Sequence, residues 1–342
     1  MSSFLRGINF NCIWCAKYQN RSTIPIPPDN YIEDSFKIFQ EEGINCIRIP
    51  IYWESYEKNT NEFLNELNLI SNIADKYDIS CIYDNHQWEC SSYLGYGIGF
   101  PTSLLLPYFN KDNLKKNSMN PPKQDDLKNF WNKWWDRKLV TLDGNDGWDA
   151  QLDYLEKVVK RVNENKSTLG FEILNEPQVY RWGDLKKVGK YHNYILERLT
   201  LITDKSFFLC GVNSSISIEN IFPGEQSKIK PISKNIKNNL FYDIHPYPPS
   251  IPLLIFYKIT SLLMDNMPIY VGEFNSGIKK GVTINKNGFA KYIKLLKWFS
   301  ASGCALWQWS YIRDNEHPAF NLAQIIDGKI SPSKNFKEYM RW

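Results

Sequence analysis

What most narrows the folds open to this chain is an alternation. Short apolar runs and amphipathic stretches follow one another eight times in a single pass. Strands are predicted at 5–10, 45–52, 79–86, 169–174, 207–212, 239–245, 268–274 and 304–309. Between and after them, helical spacing of apolar residues predicts helices at 31–39, 65–77, 148–165, 184–204, 251–264, 288–302 and 335–342. The first of these stops at Gly43. Residues 213–238 show only a vague helical pattern. Strands that alternate with helices imply a parallel sheet. Eight such units predict an α/β fold, a (β/α)8 TIM barrel, as a single domain over residues 1–342. No short self-similar period points to a solenoid instead.

The rhythm breaks once, at a long loop insertion over about 101–147, rich in Pro, Asn and Lys, with Phe130-Trp131 and Trp134-Trp135 embedded. Loops this long inside a compact domain are usually functional or disordered. The tryptophans argue for order, as a cleft wall or a docked helix.

Composition sets the class. A hydrophobic fraction of 43% and a charged fraction of 23% are those of a soluble globular protein. The net charge of +4 is small and has no basic stripe, so nucleic acid is not an expected partner. No run of 18 apolar residues spans a membrane, and the N-terminus lacks a signal-peptide pattern. The chain is therefore expected in the cytoplasm as written, or secreted with a leader removed, and as a monomer. Cys12-Ile-Trp-Cys15 has redox or zinc spacing but no second ligand pair, so no metal is expected. Cys46, Cys81, Cys210 and Cys304 sit in apolar runs as small buried hydrophobes. Aromatic residues make up 15% of the chain, a surplus that suits the flat faces of sugar rings.

The chemistry gathers at strand ends. Leu169 to Leu174 runs into Asn175-Glu176-Pro177, and Pro177 cannot extend a ladder. Pro268-Ile-Tyr-Val-Gly-Glu273-Phe has the same form. Arg48, His86, His245, Tyr247 and Trp307 fall at the same ends of other strands, the face where barrel enzymes place their sites. Two carboxylates across that mouth are what glycoside hydrolysis needs. One gives a proton to the leaving oxygen, and the other attacks the anomeric carbon or activates a water. Proximity of like charges separates the two roles.

From Arg6-Gly7-Ile8-Asn9 to Trp307 the sequence resembles glycoside hydrolase family 5, the cellulase family of clan A retaining glycosidases. Asn175-Glu176-Pro177 with Gly272-Glu273-Phe274 is the most specific part of the match. The resemblance implies that Glu176 is the acid/base and Glu273 the nucleophile. It implies that Asn175 reads the sugar 2-OH, and that Arg48 and Tyr247 hold the nucleophile. It makes His86 and His245 the polar wall of the site and Trp307 the platform under the sugar. No metal or organic cofactor enters that chemistry. The expected substrate is a β-linked oligosaccharide or polysaccharide, with cellulase-like endo-β-1,4-glucanase action.

Two segments depart from an ordinary cellulase, the insertion at 101–147 and the apolar stretch 251–264. They leave β-mannanase, exo-β-glycosidase and glycolipid-directed readings open, the last with 251–264 as an apolar lip at the mouth. A core-facing barrel helix is the plainer reading of that stretch. A non-catalytic carbohydrate-binding barrel would not need both carboxylates.

Overall fold

The computed structural model describes residues 4–11, 28–94, 96–109, 124–212, 240–247, 251–275, 286–311 and 320–339. Eight parallel strands close into a barrel: β1 (Leu5–Phe10), β2 (Cys46–Ile51), β3 (Ser80–Asn85), β4 (Thr168–Glu172), β5 (Ser206–Cys210), β6 (Leu240–Ile244), β7 (Ile269–Phe274) and β8 (Gly303–Trp309). Each pairs with its neighbours in chain order, and β8 pairs back onto β1. The predicted strands are therefore the barrel staves.

The outer layer is helical: α1 (Tyr31–Glu41), α2 (Thr60–Tyr77), α3 (Gln124–Trp135), α4 (Gly147–Val162), α5 (Leu185–Leu199), α6 (Ile251–Leu263), α7 (Lys286–Trp298) and α8 (Lys334–Tyr339). Caps set several starts. Asn59 accepts from Glu62 N and so begins α2 five residues before the sequence pattern predicts. Asp146 caps α4 by accepting from Trp148 N and Asp149 N. The embedded tryptophans belong to a docked helix, α3, with Trp131 and Trp134 fully buried. Cys12, Cys15 and the stretch 213–238 lie outside the described residues.

Two antiparallel hairpins escape the sequence pattern. One, Trp88–Ser91 with Tyr96–Ile98, follows β3. The other, Ala323–Ile326 with Lys329–Pro332, turns at Asp327-Gly328, both with positive φ. Asp-Gly between short strands is a hairpin signal in its own right.

Side chains on a strand alternate between its two faces. Leu5, Cys46, Ile82, Phe208, Phe241, Tyr270 and Ala305 form their own apolar cluster inside the barrel. Two residues further along β2, β3 and β6, the same inward parity carries Arg48, Asp84 and Asp243. The next step up reaches His86 and His245. An apolar floor thus supports a charged layer, and the mouth lies above it.

Candidate active site

Strict alternation would leave Glu273 out of this layer, because Tyr270 already faces inward. The β7–β8 pairing slips by one residue: Cys304 opposes Val271, but Leu306 opposes Phe274. Such a bulge re-aims a side chain. Gly272 sits at the slip. Its N–H donates to Asp243 Oδ1 at 2.6 Å, and a Cβ there would lie 2.3 Å from Asp243 Oδ2. Phe274 turns outward against Tyr292 of α7, and Glu273 turns in.

Arg48 is the hub. Its Nη1 donates to Glu273 Oε1 (2.9 Å) and Asn9 Oδ1 (2.8 Å), its Nη2 to Asn175 Oδ1 (2.7 Å) and its Nε to Glu172 Oε2 (2.8 Å). Asp84 stands 3.0 Å from Nη2. Burial alone would discharge so enclosed a guanidinium, but Asp84, Glu172, Glu273 and Asp243 hold it charged. One cation cannot neutralise four carboxylates. Burial pushes the Glu172 carboxyl well up despite Arg48, with Asp84 and Asp243 adding repulsion.

Around Glu273 the geometry closes. Tyr247 OH donates to Oε2 at 3.3 Å. Burial, and then Glu273 itself, push that phenol well up, so it stays a donor. His86 Nδ1 lies 2.6 Å from Asp84 Oδ2 and 3.8 Å from Glu273 Oε1. The Trp307 indole stacks on the His86 ring at 5.4 Å and 14°.

Across the mouth, His245 Nδ1 meets Glu176 Oε1 at 2.9 Å and stands 3.9 Å from Glu273 Oε1. Burial disfavours the His245 cation, but the Cys210 sulfur and the Glu273 and Asp243 carboxylates favour it more strongly. The imidazole is held well above its usual value. An oxygen of Glu176, an oxygen of Glu273 and a nitrogen of His245 all lie within 4.8 Å of one another.

All eight predicted residues, Arg48, His86, Asn175, Glu176, His245, Tyr247, Glu273 and Trp307, meet in one cluster of contacts. Their mounting differs from the sequence reading in one place. The strand β4 ends at Glu172, two residues before the predicted end at Leu174. Asn85 Nδ2 takes the Ile173 carbonyl at 2.7 Å, and Asn85 O receives the Asn175 N–H. A side chain thus replaces the ladder, and Asn175 and Glu176 ride on a loop. Glu176 adopts φ 39°, in the left-handed region that non-glycine residues avoid.

Four members of the polar layer, Asn9, Asp84, Glu172 and Asp243, are not among the predicted site residues. Each lies inside a buried strand, and a polar residue inside an apolar run is the signal that marks it. Asn9 Nδ2 also donates to Gly272 O at 2.8 Å, tying β1 to the bulge. Among the described residues a metal could in principle draw on Asp84, His86 and Glu273, on Glu176, His245 and Glu273, or on Glu172, Cys210 and His245. The Arg48 guanidinium already places positive charge against Asp84 and Glu273, so a cation held by those carboxylates would meet repulsion there.

The insertion helix α3 buttresses this mouth. Trp131 Nε1 donates to Glu89 O at 2.9 Å, and Trp135 Nε1 to Gln178 O at 2.7 Å. Those carbonyls belong to the loops after β3 and β4. Glu89 itself is half-buried. Burial first, and the nearby Glu176 charge, raise its carboxyl above the usual range.

On the outer wall, α6 packs Leu254, Thr260 and Ser261 inward and sets Tyr257 against Tyr242 of β6. Its other face is aliphatic and open: Ile251 is 51% exposed, Ile259 51% and Leu262 57%. No described helix is long and apolar enough to cross a membrane.

Comparison with known proteins follows the same lines. The family model described as Cellulase (glycosyl hydrolase family 5) matches residues 20–312. An endoglycoceramidase from Cyanea nozakii is 27% identical over 175 residues, covering 44% of this chain and 35% of that protein. The chain thus spans about a third of that relative's length. Endo-glycoceramidase II from Rhodococcus sp., solved as a lactosyl-enzyme intermediate, superposes with a TM-score of 0.74 at 13% identity, covering 98% of this chain and 78% of that one. The catalytic domain of an endoglucanase from Thermobifida fusca superposes at 0.54 and 15% identity, covering 92% and 82%.

Proposed function

The chain belongs to glycosyl hydrolase family 5, and we propose that it is a retaining β-glycosidase with Glu273 as nucleophile and Glu176 as acid/base. One observation carries this reading: an oxygen of each carboxylate lies within 4.8 Å of the other. Retaining enzymes hold their carboxyl groups about 5–5.5 Å apart, whereas inverting enzymes need about 6.5–9.5 Å to admit a water.

In the first step a Glu273 oxygen bonds to the anomeric carbon. The carbon–oxygen bond to the aglycone breaks, its electron pair stays on the departing oxygen, and Glu176 supplies that oxygen with a proton. In the second step a water oxygen bonds to the anomeric carbon and its proton passes to Glu176. The Glu273–sugar bond breaks, so the β configuration survives two inversions. Arg48 Nη1 and Tyr247 OH orient the two Glu273 oxygens. Asn175 has Oδ1 fixed by Arg48 and Nδ2 bonded to Gln87 O at 2.8 Å. The second Nδ2 hydrogen is available to a sugar 2-OH. The Trp307 face lies under the sugar.

The substrate is a β-linked glycan, and one observation favours a glycan carried on a lipid. An apolar helix face opens on α6, the helix that follows β6 and the His245–Tyr247 loop. The relatives named endoglycoceramidase support that choice, and Rhodococcus endo-glycoceramidase II has been solved with the ganglioside GM3. Fold similarity to endoglucanases keeps soluble β-glucans as the comparison substrate.

The test is the anomeric configuration of the first-formed product, followed by NMR. Retention is expected. Glu273→Gln is expected to lose at least about a thousandfold in turnover, as the loss of a nucleophile and its intermediate requires, while folding normally. Inversion, or near-normal turnover by Glu273→Gln, would sink the assignment.

A further inference from the structure

Of the side chains that join the loops after β3 and β4, Gln87 alone among the described residues bonds both the Asn175 and the Glu176 carbonyls. Gln87 is 1% exposed. Its Nε2 donates to Asn175 O at 2.8 Å and to Glu176 O at 2.7 Å, while its own carbonyl accepts from Asn175 Nδ2 at 2.8 Å. Only the NH2 end of an amide can serve two carbonyls, so chemistry sets the orientation: turned over, Oε1 would face both oxygens. That oxygen is left buried with no partner among the described residues, which costs stability. The site also makes room for this residue. A Cβ on Gly99 would stand 2.5 Å from the Gln87 Cβ.

Glu176 is the residue that needs holding. Its φ of 39° lies in the left-handed region that is unfavourable for an L-residue, and Pro177 after it has no N–H to anchor the loop. A tie at the Glu176 carbonyl opposes relaxation toward ordinary backbone angles. Such relaxation would swing the carboxylate away from His245 and Glu273. We propose that Gln87 is a positioning residue for the proton donor: its paired bonds to Asn175 O and Glu176 O keep Glu176 in the conformation that aims its carboxyl at the departing oxygen. This rests on the acid/base reading of Glu176.

The role predicts a particular kind of loss. A dinitrophenolate leaves a sugar without proton donation, whereas an alkoxide does not. Well-placed general acids contribute about 10²–10⁴-fold. Gln87→Met, close in volume but without donors, should lose about 10–100-fold in kcat/KM on an unactivated alkyl β-glycoside. On the matching dinitrophenyl glycoside the first, bond-breaking step should change by less than about threefold. Gln87→Ala should show the same ratio even if less stable. Hydrogen exchange over residues 173–179 should rise in Gln87→Met, with the barrel strands unchanged. Equal losses on both glycosides, or unchanged exchange at 173–179, would overturn the role. A wild-type protein that cleaves neither glycoside overturns the reading of Glu176 itself, and Gln87's role falls with it.

Discussion

The helices α3 and α6 each follow a barrel strand, and both are rich in large apolar residues, yet they end in opposite surroundings. Apart from Leu127 the apolar residues of α3 are aromatic, and they are interleaved with Asp, Lys and Asn, so one face is committed inward. Phe130, Trp131, Trp134 and Trp135 are all buried. In α6 the residues are aliphatic on nearly every side, the composition of a helix expected to be covered all round. Among the described residues only its barrel-facing side is covered, at Leu254, Thr260 and Ser261. A polar face tells a helix where to stop burying, and α6 carries no such instruction. Its outward surface is apolar and exposed at Ile251, Ile255, Ile259, Leu262 and Leu263. The first helix serves the site by holding loops, and the second offers a surface.

The largest effect should come from α3. Trp135→Ala removes a buried ring and its bond to Gln178 O, and large aromatic truncations in cores cost about 3–5 kcal/mol. Chemical denaturation would read this as a lowered midpoint. Trp135→Phe keeps most of the ring but leaves Gln178 O without its donor, at about 1–3 kcal/mol, and turnover should fall with it because the Glu176 loop loses an anchor. A Phe variant of unchanged stability and rate would reduce α3 to packing alone.

Next comes α6. Ile251→Ser with Ile255→Ser and Ile259→Ser should leave stability within about 1 kcal/mol, since these chains are already half exposed. Cleavage of a glycolipid held in vesicles should fall about a hundredfold. That is well within the roughly 1.5–3 kcal/mol that each Ile contributes on full transfer out of water. A soluble aryl glycoside should be cleaved as before. Equal losses on both substrates would erase the functional contrast between the two helices.

The staves and the eight clustered residues were legible because they sit where an apolar run meets a polar residue or a proline. Asp84, Glu172 and Asp243 were harder to see. In a strand buried on both faces, nothing in the local sequence says which side chains point to the axis. Glu273 faces inward only because the register slips at Gly272, and a slip is a property of two paired strands rather than of one. The end of β4 moved from Leu174 to Glu172 because the Asn85 side chain, distant in sequence, captured the Ile173 carbonyl. The sequence left 251–264 between a core helix and an apolar lip, and α6 is packed on one side and open on the other. Burial depends on what a neighbour covers.

The smallest effect separates the same two helices by acid. On α5, Tyr191 packs against Trp134 and Trp135, and the next residue, His192, is buried with neither ring nitrogen bonded among the described residues. Burial lowers its pKa to about 4, against about 6.5 in an unfolded chain. Between those values the unfolded chain binds a proton that the folded one refuses. The stability is whole above about 6.5 and is lost as pH falls toward 4, at about 1.4 kcal/mol per unit. At pH 5 the loss is about 2 kcal/mol. His192→Leu should remove that slope, so its stability difference between pH 7 and pH 5 shrinks by about the same amount. His245 works with the opposite sign. Its pKa is raised, so its contribution is present below about 6.5 and fades as pH climbs through the raised value. The α6 segment 251–263 contains no Asp, Glu or His. Mild acid should therefore loosen the side of the barrel that α3 and α5 share while leaving α6 alone, and hydrogen exchange at pH 5 in wild type and His192→Leu would show it. Equal acid-induced exchange in α3 and α6 would place the weak point elsewhere.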